Sequence, residues 1–86
     1  MKTIYKYPLV LDDIQIVPLP RDAHLLTVQE QQGSLMLWAS VDTDAREVEQ
    51  TIYIVGTGQP LQEYHQHYLA TIQFDGFVWH VFTSGI

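Results

Sequence analysis

Apolar residues recur at every second position through most of this chain, and that spacing restricts it to strands. The stretch Leu35-Met36-Leu37-Trp38-Ala39-Ser40-Val41 shows it best. Leu35, Leu37, Ala39 and Val41 fall on one face and Met36 and Trp38 on the other. A strand with apolar groups on both faces belongs at the centre of a sheet or against a partner. Further short segments of this kind cover residues 2–10 (around Ile4, Tyr5, Tyr7 and Leu9), 14–17, 23–31, 51–55, 68–74 and 77–83. They are rich in Ile, Val, Tyr and Thr, which suit a pleated surface.

The residues between these segments are turn formers. Asp75-Gly76 is the strongest local signal, because a type I′ hairpin turn needs positive φ at both central positions and this pair supplies it. Gln31-Gln32-Gly33-Ser34 joins a second hairpin, and Asp12-Asp13 ends the first strand. Pro18-Leu19-Pro20 places its segment at an edge or in a loop, since two prolines one residue apart cannot serve a central ladder. The charged run from Asp42 to Glu49 reads as the long loop. Helical spacing competes only after Pro60, where Leu61, Tyr64, His65, Tyr68 and Leu69 recur at helical offsets, which predicts one or two helical turns over 61–65. The expected fold is one β-rich domain over residues 1–86, all-β or α+β. It has about six to seven strands in a mainly antiparallel sheet or small barrel-like form, with one short helical turn.

With 4 Lys plus Arg against 10 Asp plus Glu, the 86-residue chain carries a formal charge of −6. That argues against a nucleic-acid groove, whose affinity rests on cations neutralising phosphates. There is no Cys, so disulfides, thiolate metal sites and thiol nucleophiles are excluded. The longest apolar run, Leu35 to Ala39, has five residues, far short of the roughly 20 a spanning helix needs. No secretory signal is recognisable, and a cytoplasmic location with no membrane partner is expected. The two Trp, three Phe and five Tyr are more than one small core readily covers, which makes a homo-oligomer or a ligand pocket the expected use of the surplus.

Four groups of residues are candidates for chemistry. Gly56-Thr57-Gly58-Gln59-Pro60 combines a strand end, two glycines and an expected helical turn, a context in which backbone N–H groups can approach an anion. It lacks the third glycine of a dinucleotide loop and the lysine of a Walker loop, so a plain loop is the simpler reading. Gly56, Thr57 and Gly58, with Trp38, Trp79 and His80, form the expected small-ligand set. Asp42, Asp44, Glu47 and Glu49 form an expected acidic patch for a basic partner. They lack the glycine of a calcium-binding EF-hand loop, and solvated charge is the simpler account.

His65 and His67 would share a face on a strand, where His24 or His80 could add a third metal ligand. On a helix they diverge, and no diagnostic ligand spacing is present, so neither a metal site nor a cofactor is expected. His80 alternates with Val78 and Phe82, a place where a histidine is usually a hydrogen-bonded structural residue. Ser34, Ser40 and Ser84 lie outside any nucleophile elbow, and no catalytic residues are assigned.

Four motifs in order, Ile4-Tyr5-Lys6-Tyr7-Pro8-Leu9, Leu37-Trp38-Ala39-Ser40-Val41-Asp42, Ile54-Val55-Gly56-Thr57-Gly58-Gln59-Pro60 and Phe77-Val78-Trp79-His80-Val81-Phe82, resemble a family of small bacteriophage proteins of unknown function. A position that is often Cys in that family is Met36 here, which removes any redox role. The resemblance implies a non-enzymatic accessory protein of the infected host's cytoplasm. It would act by occupancy, sequestering a nucleotide-like immune signal in a pocket between protomers. The alternatives are an acidic inhibitor of a host protein and a minor virion component. A metal-dependent hydrolase built on His24, His65, His67 or His80 is the enzymatic rival.

Overall fold

The computed structural model describes residues 1–84. Seven strands follow one another: β1 (Lys2–Leu9), β2 (Ile14–Pro20), β3 (His24–Gln31), β4 (Ser34–Asp42), β5 (Glu47–Gly56), β6 (His67–Phe74) and β7 (Phe77–Thr83). They form two antiparallel sheets, a three-stranded one in the order β1-β4-β3 and a four-stranded one in the order β2-β5-β7-β6. Both sheets are open, so the molecule is a sandwich rather than a barrel. Its smallest Cα extent, 15 Å, suits two layers packed about 10 Å apart.

Alternation along each strand builds the interior. Leu9, Val28, Leu35 and Leu37 from the first sheet meet Val17, Leu19, Ile52, Ile54, Ala70, Ile72 and Val81 from the second. Leu37, Val28, Ile52 and Val81 are fully enclosed at 0% exposure. Burying each such side chain contributes about 1.5–3 kcal/mol. Trp79 packs against this cluster, and its indole N–H donates to the Phe74 carbonyl at 3.0 Å.

The two hairpins turn through Gln32-Gly33 (φ 51° and 85°) and Asp75-Gly76 (φ 56° and 82°). Both pairs have the positive φ values that a type I′ turn demands. The edge strands are β1, β3, β2 and β6. Pro8 lies in β1 and Pro18 and Pro20 in β2, where an edge tolerates a missing N–H. In β3 and β6 the register shifts, between Leu25 and Thr27 and between Tyr68 and Ala70.

Two segments differ from the sequence expectation. No helix occurs among the described residues, and 61–65 is a loop with one tight turn, in which His65 N–H donates to the Gln62 carbonyl at 3.0 Å. Its helix-like spacing arises because Tyr64 and His65 both reach back onto the sheet. The run 42–49 is not a long loop either. Asp42 ends β4, residues 43–46 make the turn, and Glu47 and Glu49 lie on β5 opposite Pro20 and Pro18. Pairing with β2 extends β5 through a stretch whose charges point outward.

Candidate functional site

The outer face of the four-stranded sheet carries an aromatic surface. Tyr53 on β5 stands beside Ile14 on β2 and Phe82 on β7, with Tyr68 on β6 next along the row. The connection from β5 to β6 folds back over this face. The Tyr64 and His65 rings lie with centroids 4.9 and 5.4 Å from that of Tyr53, and His65 is 5.5 Å from Phe82. These are ordinary separations for attractive ring pairs.

Between the folded-back loop and the start of β2 is a groove of about 550 Å³, lined by Asp13, Ile14, Tyr53, Ile54, Val55, Gln59, Pro60, Gln62, Tyr64 and His65. Its walls are held by backbone bonds. Gly56 N–H donates to Gln59 Oε1 at 2.6 Å, Gln59 N–H returns to the Gly56 carbonyl at 3.0 Å, and Thr57 N–H donates to the Val78 carbonyl at 3.2 Å. A Cβ at Gly56 would lie 3.1 Å from Gln59 Oε1 and 3.2 Å from the Trp79 ring, so a side chain here would make Gln59 or the indole give by a few tenths of an ångström. On the other wall, Gln15 clamps Val10 through two reciprocal bonds of 3.0 and 2.7 Å, and Ile54 N–H donates to the Asp13 carbonyl at 3.1 Å. Asp13 is thereby fixed at the rim with its carboxylate exposed.

A polar chain anchors the start of the loop. Tyr68 Oη and Thr71 Oγ1 are 2.6 Å apart, Thr71 Oγ1 meets His80 Nδ1 at 3.0 Å, and His80 Nε2 meets Thr57 Oγ1 at 2.8 Å. Thr57 Oγ1 donates onward to the Val78 carbonyl at 3.4 Å. One ring nitrogen donates and the other accepts, and the two threonine hydroxyls can serve either tautomer. The imidazole is oriented by hydroxyls on both sides, without the carboxylate that sets up a catalytic histidine.

The expected ligand set is thus partly assembled. Gly56, Thr57, Gly58 and His80 come together at the loop's root. Trp79 lies beneath Gly56 on the core side, and Trp38 lies half-buried on the outer face of the other sheet. The loop is no anion cradle, because the Gly56, Thr57 and Gln59 amides are already bonded within the protein. Asp13 and Gln62 carry no sequence signal as site residues, and Gln59 stands in the Gly56–Pro60 motif without a role of its own. Asp13 is placed by the pairing of β2 with β5, which no local motif encodes, whereas Gln59 and Gln62 are placed by bonds within the β5–β6 connection, to Gly56 and to His65.

The acidic set is also divided. Asp42 Oδ1 accepts from the Met1 amine at 3.2 Å and from Asp44 N–H at 3.0 Å, and Asp44 Oδ2 accepts from the same amine at 3.0 Å. The Asp44 N–H first, and the amine second, hold the Asp42 carboxyl below the usual carboxylate range, while bonds to Asp44 and Asp42 raise the amine. Glu47 and Glu49 are on β5, apart from this clasp. The histidines are dispersed: His24 is exposed on β3, His67 is exposed at the start of β6, and His65 Nδ1 accepts from Gln62 N–H at 2.9 Å. Among the described residues no three His, Cys, Asp or Glu side chains are grouped to hold a metal.

Fold and site together define a two-sheet antiparallel β-sandwich with an aromatic groove roofed by its own loop. The chain belongs to a family described as a domain of unknown function, DUF7352, which it matches over residues 1–85. No curated protein and no solved structure shows significant similarity to it.

Proposed function

We propose that the protein is a non-catalytic binding module that acts by occupancy, and that its groove takes the planar base of a nucleotide-like ligand. The observation that carries this reading is the pairing of ring surfaces, Tyr53 and Tyr64, with an exposed carboxylate at Asp13 on one groove. An aromatic wall stacks a base by either face, worth about 1–3 kcal/mol per base. A carboxylate acceptor selects bases that present N–H donors, and the Gln59 and Gln62 amides add donors and acceptors. The ligand's phosphates point away from the groove, because the loop amides are engaged and no Lys or Arg lines it.

The motif resemblance to small phage proteins supports a setting in which such binding withdraws a nucleotide immune signal in the host cytoplasm. Ile14 lines the groove and is exposed, as are Ile16 on β2 and Leu61 in the loop, which supports closure by a second copy.

Calorimetry and thermal-shift titration against a panel of cyclic and linear nucleotides test the reading. The expected result is saturable binding of an amino-bearing base, weakened about 5- to 100-fold by Tyr64→Ala, in line with the loss of one stacking contact. Asp13→Asn should shift the preference among bases. Silence across the panel would count against the proposal, and so would binding indifferent to both changes.

A further inference from the structure

Only four Lys and Arg residues occur in a chain of charge −6, and three of them, Lys2, Arg21 and Arg46, line one cleft of about 380 Å³. It lies between the turn that follows β2 and the turn that follows β4. Arg21 N–H donates to the Arg46 carbonyl at 2.8 Å, so the two arginines are fixed side by side by their own backbones. The β2–β3 turn is closed by Ala23 N–H on the Pro20 carbonyl at 3.2 Å, with Asp22 at φ 62°. The fourth cation is elsewhere, with Lys6 Nζ donating to Gln31 Oε1 at 2.7 Å.

Neighbouring carboxylates offset this group only in part. Lys2 is the ladder partner of Asp42, yet the Asp42 carboxylate is bonded to the Met1 amine and to Asp44 N–H. Asp44 is bonded to the same amine, and among the described residues no ion pair engages Lys2, Arg21 or Arg46. Asp22 is the one lining carboxylate without such a commitment, and His24 and Ser40 add polar groups. Three cations line the cleft with two carboxylates, Asp22 and Asp42, which leaves its lining net positive in an acidic chain.

We propose that this cleft is a binding site for a small multivalent oxyanion of the phosphate class. Two arginines on adjacent backbone positions can bring their guanidinium N–H donors to the oxygens of such an anion, and Lys2 adds a point charge. The site is independent of the aromatic groove. β2 starts beside the groove at Ile14 and ends at Pro20, just before Arg21, which separates the two by about 20 Å at 3.3 Å per residue.

The test is an NMR titration of the labelled full chain with inorganic pyrophosphate, at ionic strength held constant with chloride. The expected result is saturable shifts of the Arg21 and Arg46 side-chain N–H signals and of the amides of 21–24 and 45–46, with Tyr53 and Tyr64 unmoved. Arg21→Gln with Arg46→Gln should raise the pyrophosphate Kd at least about tenfold, the effect of losing one charged hydrogen bond. Arg21→Lys with Arg46→Lys should fall between. A parallel arm with a nucleoside triphosphate separates the sources. Equal affinity identifies the phosphate chain alone as the ligand, and tighter binding identifies a nucleotide. Equal shifts from chloride alone, or pyrophosphate binding undiminished in the folded double glutamine variant, would overturn the proposal.

Discussion

The two ends of the β2–β5 pair are built on opposite principles. At the groove end the polar groups are spent on each other: loop amides on Gln59 and Val78, His80 on Thr57 and Thr71. What remains exposed is mainly ring and aliphatic surface, with the Asp13 carboxylate and the Gln59 and Gln62 amides at its margin. At the other end Asp42 and Asp44 share the Met1 amine, and among the described residues Lys2, Arg21, Arg46 and Asp22 line the cleft without an ion pair of their own. Stacking recognition and charge recognition, as proposed, thus fall at opposite ends of one small sandwich. A net charge of −6 says nothing of this division, because the sign that matters at each end is the one left uncompensated.

Breaking the comparison altogether takes a change in the shared core. Leu37→Ala removes a fully enclosed side chain and should cost about 2–5 kcal/mol, a large part of a small domain's stability. Urea denaturation would show it, and both ends should loosen together. Gly56→Ala is more selective, because its Cβ would press on Gln59 and the Trp79 ring. A loss of about 1–3 kcal/mol is expected. Hydrogen exchange should rise over 56–66 and stay unchanged over 21–24, and a rise at both would show that the ends are coupled.

Smaller still, Thr57→Val removes the partner of His80 Nε2. It should cost about 1 kcal/mol, read as faster exchange at the loop's root. The least effect belongs to Asp42→Asn at the charged end. Because the folded Asp42 carboxyl titrates below its ordinary value, its contribution is complete above the unfolded pKa of about 3.9 and is lost as pH falls through the folded one. The wild-type protein should therefore lose stability on acidification below about pH 4, and the variant should lose less. Thermal melts from pH 6 to pH 2 would show the difference.

The strands were legible because alternation and turn residues agree, as at Phe74-Asp75-Gly76-Phe77, where the pair that permits positive φ sits between two apolar runs. The start of β5 was not legible. Glu47 and Glu49 read as loop until β2 is known to lie beside them with its prolines opposite. Tyr64 and His65 mimic a helix because contacts with Tyr53 and Phe82 impose a spacing that helices share. The root of the groove was visible in Gly56, Thr57, Gly58 and His80, whereas Asp13 was hidden in what looks like a strand break. The meeting of Lys2, Arg21 and Arg46 is a product of strand pairing alone, since the three are scattered along the sequence.

Each sheet ends in two unpaired strands, and each of the four carries an obstacle to further pairing. Pro8 interrupts the donors of β1, Pro18 and Pro20 those of β2, and shifts of register distort β3 and β6. An added strand would meet a proline or a bulge on each of these margins, which disfavours edge-to-edge pairing. The exposed aromatic residues lie on a sheet face rather than along these margins, so the surface left for a second copy is a face.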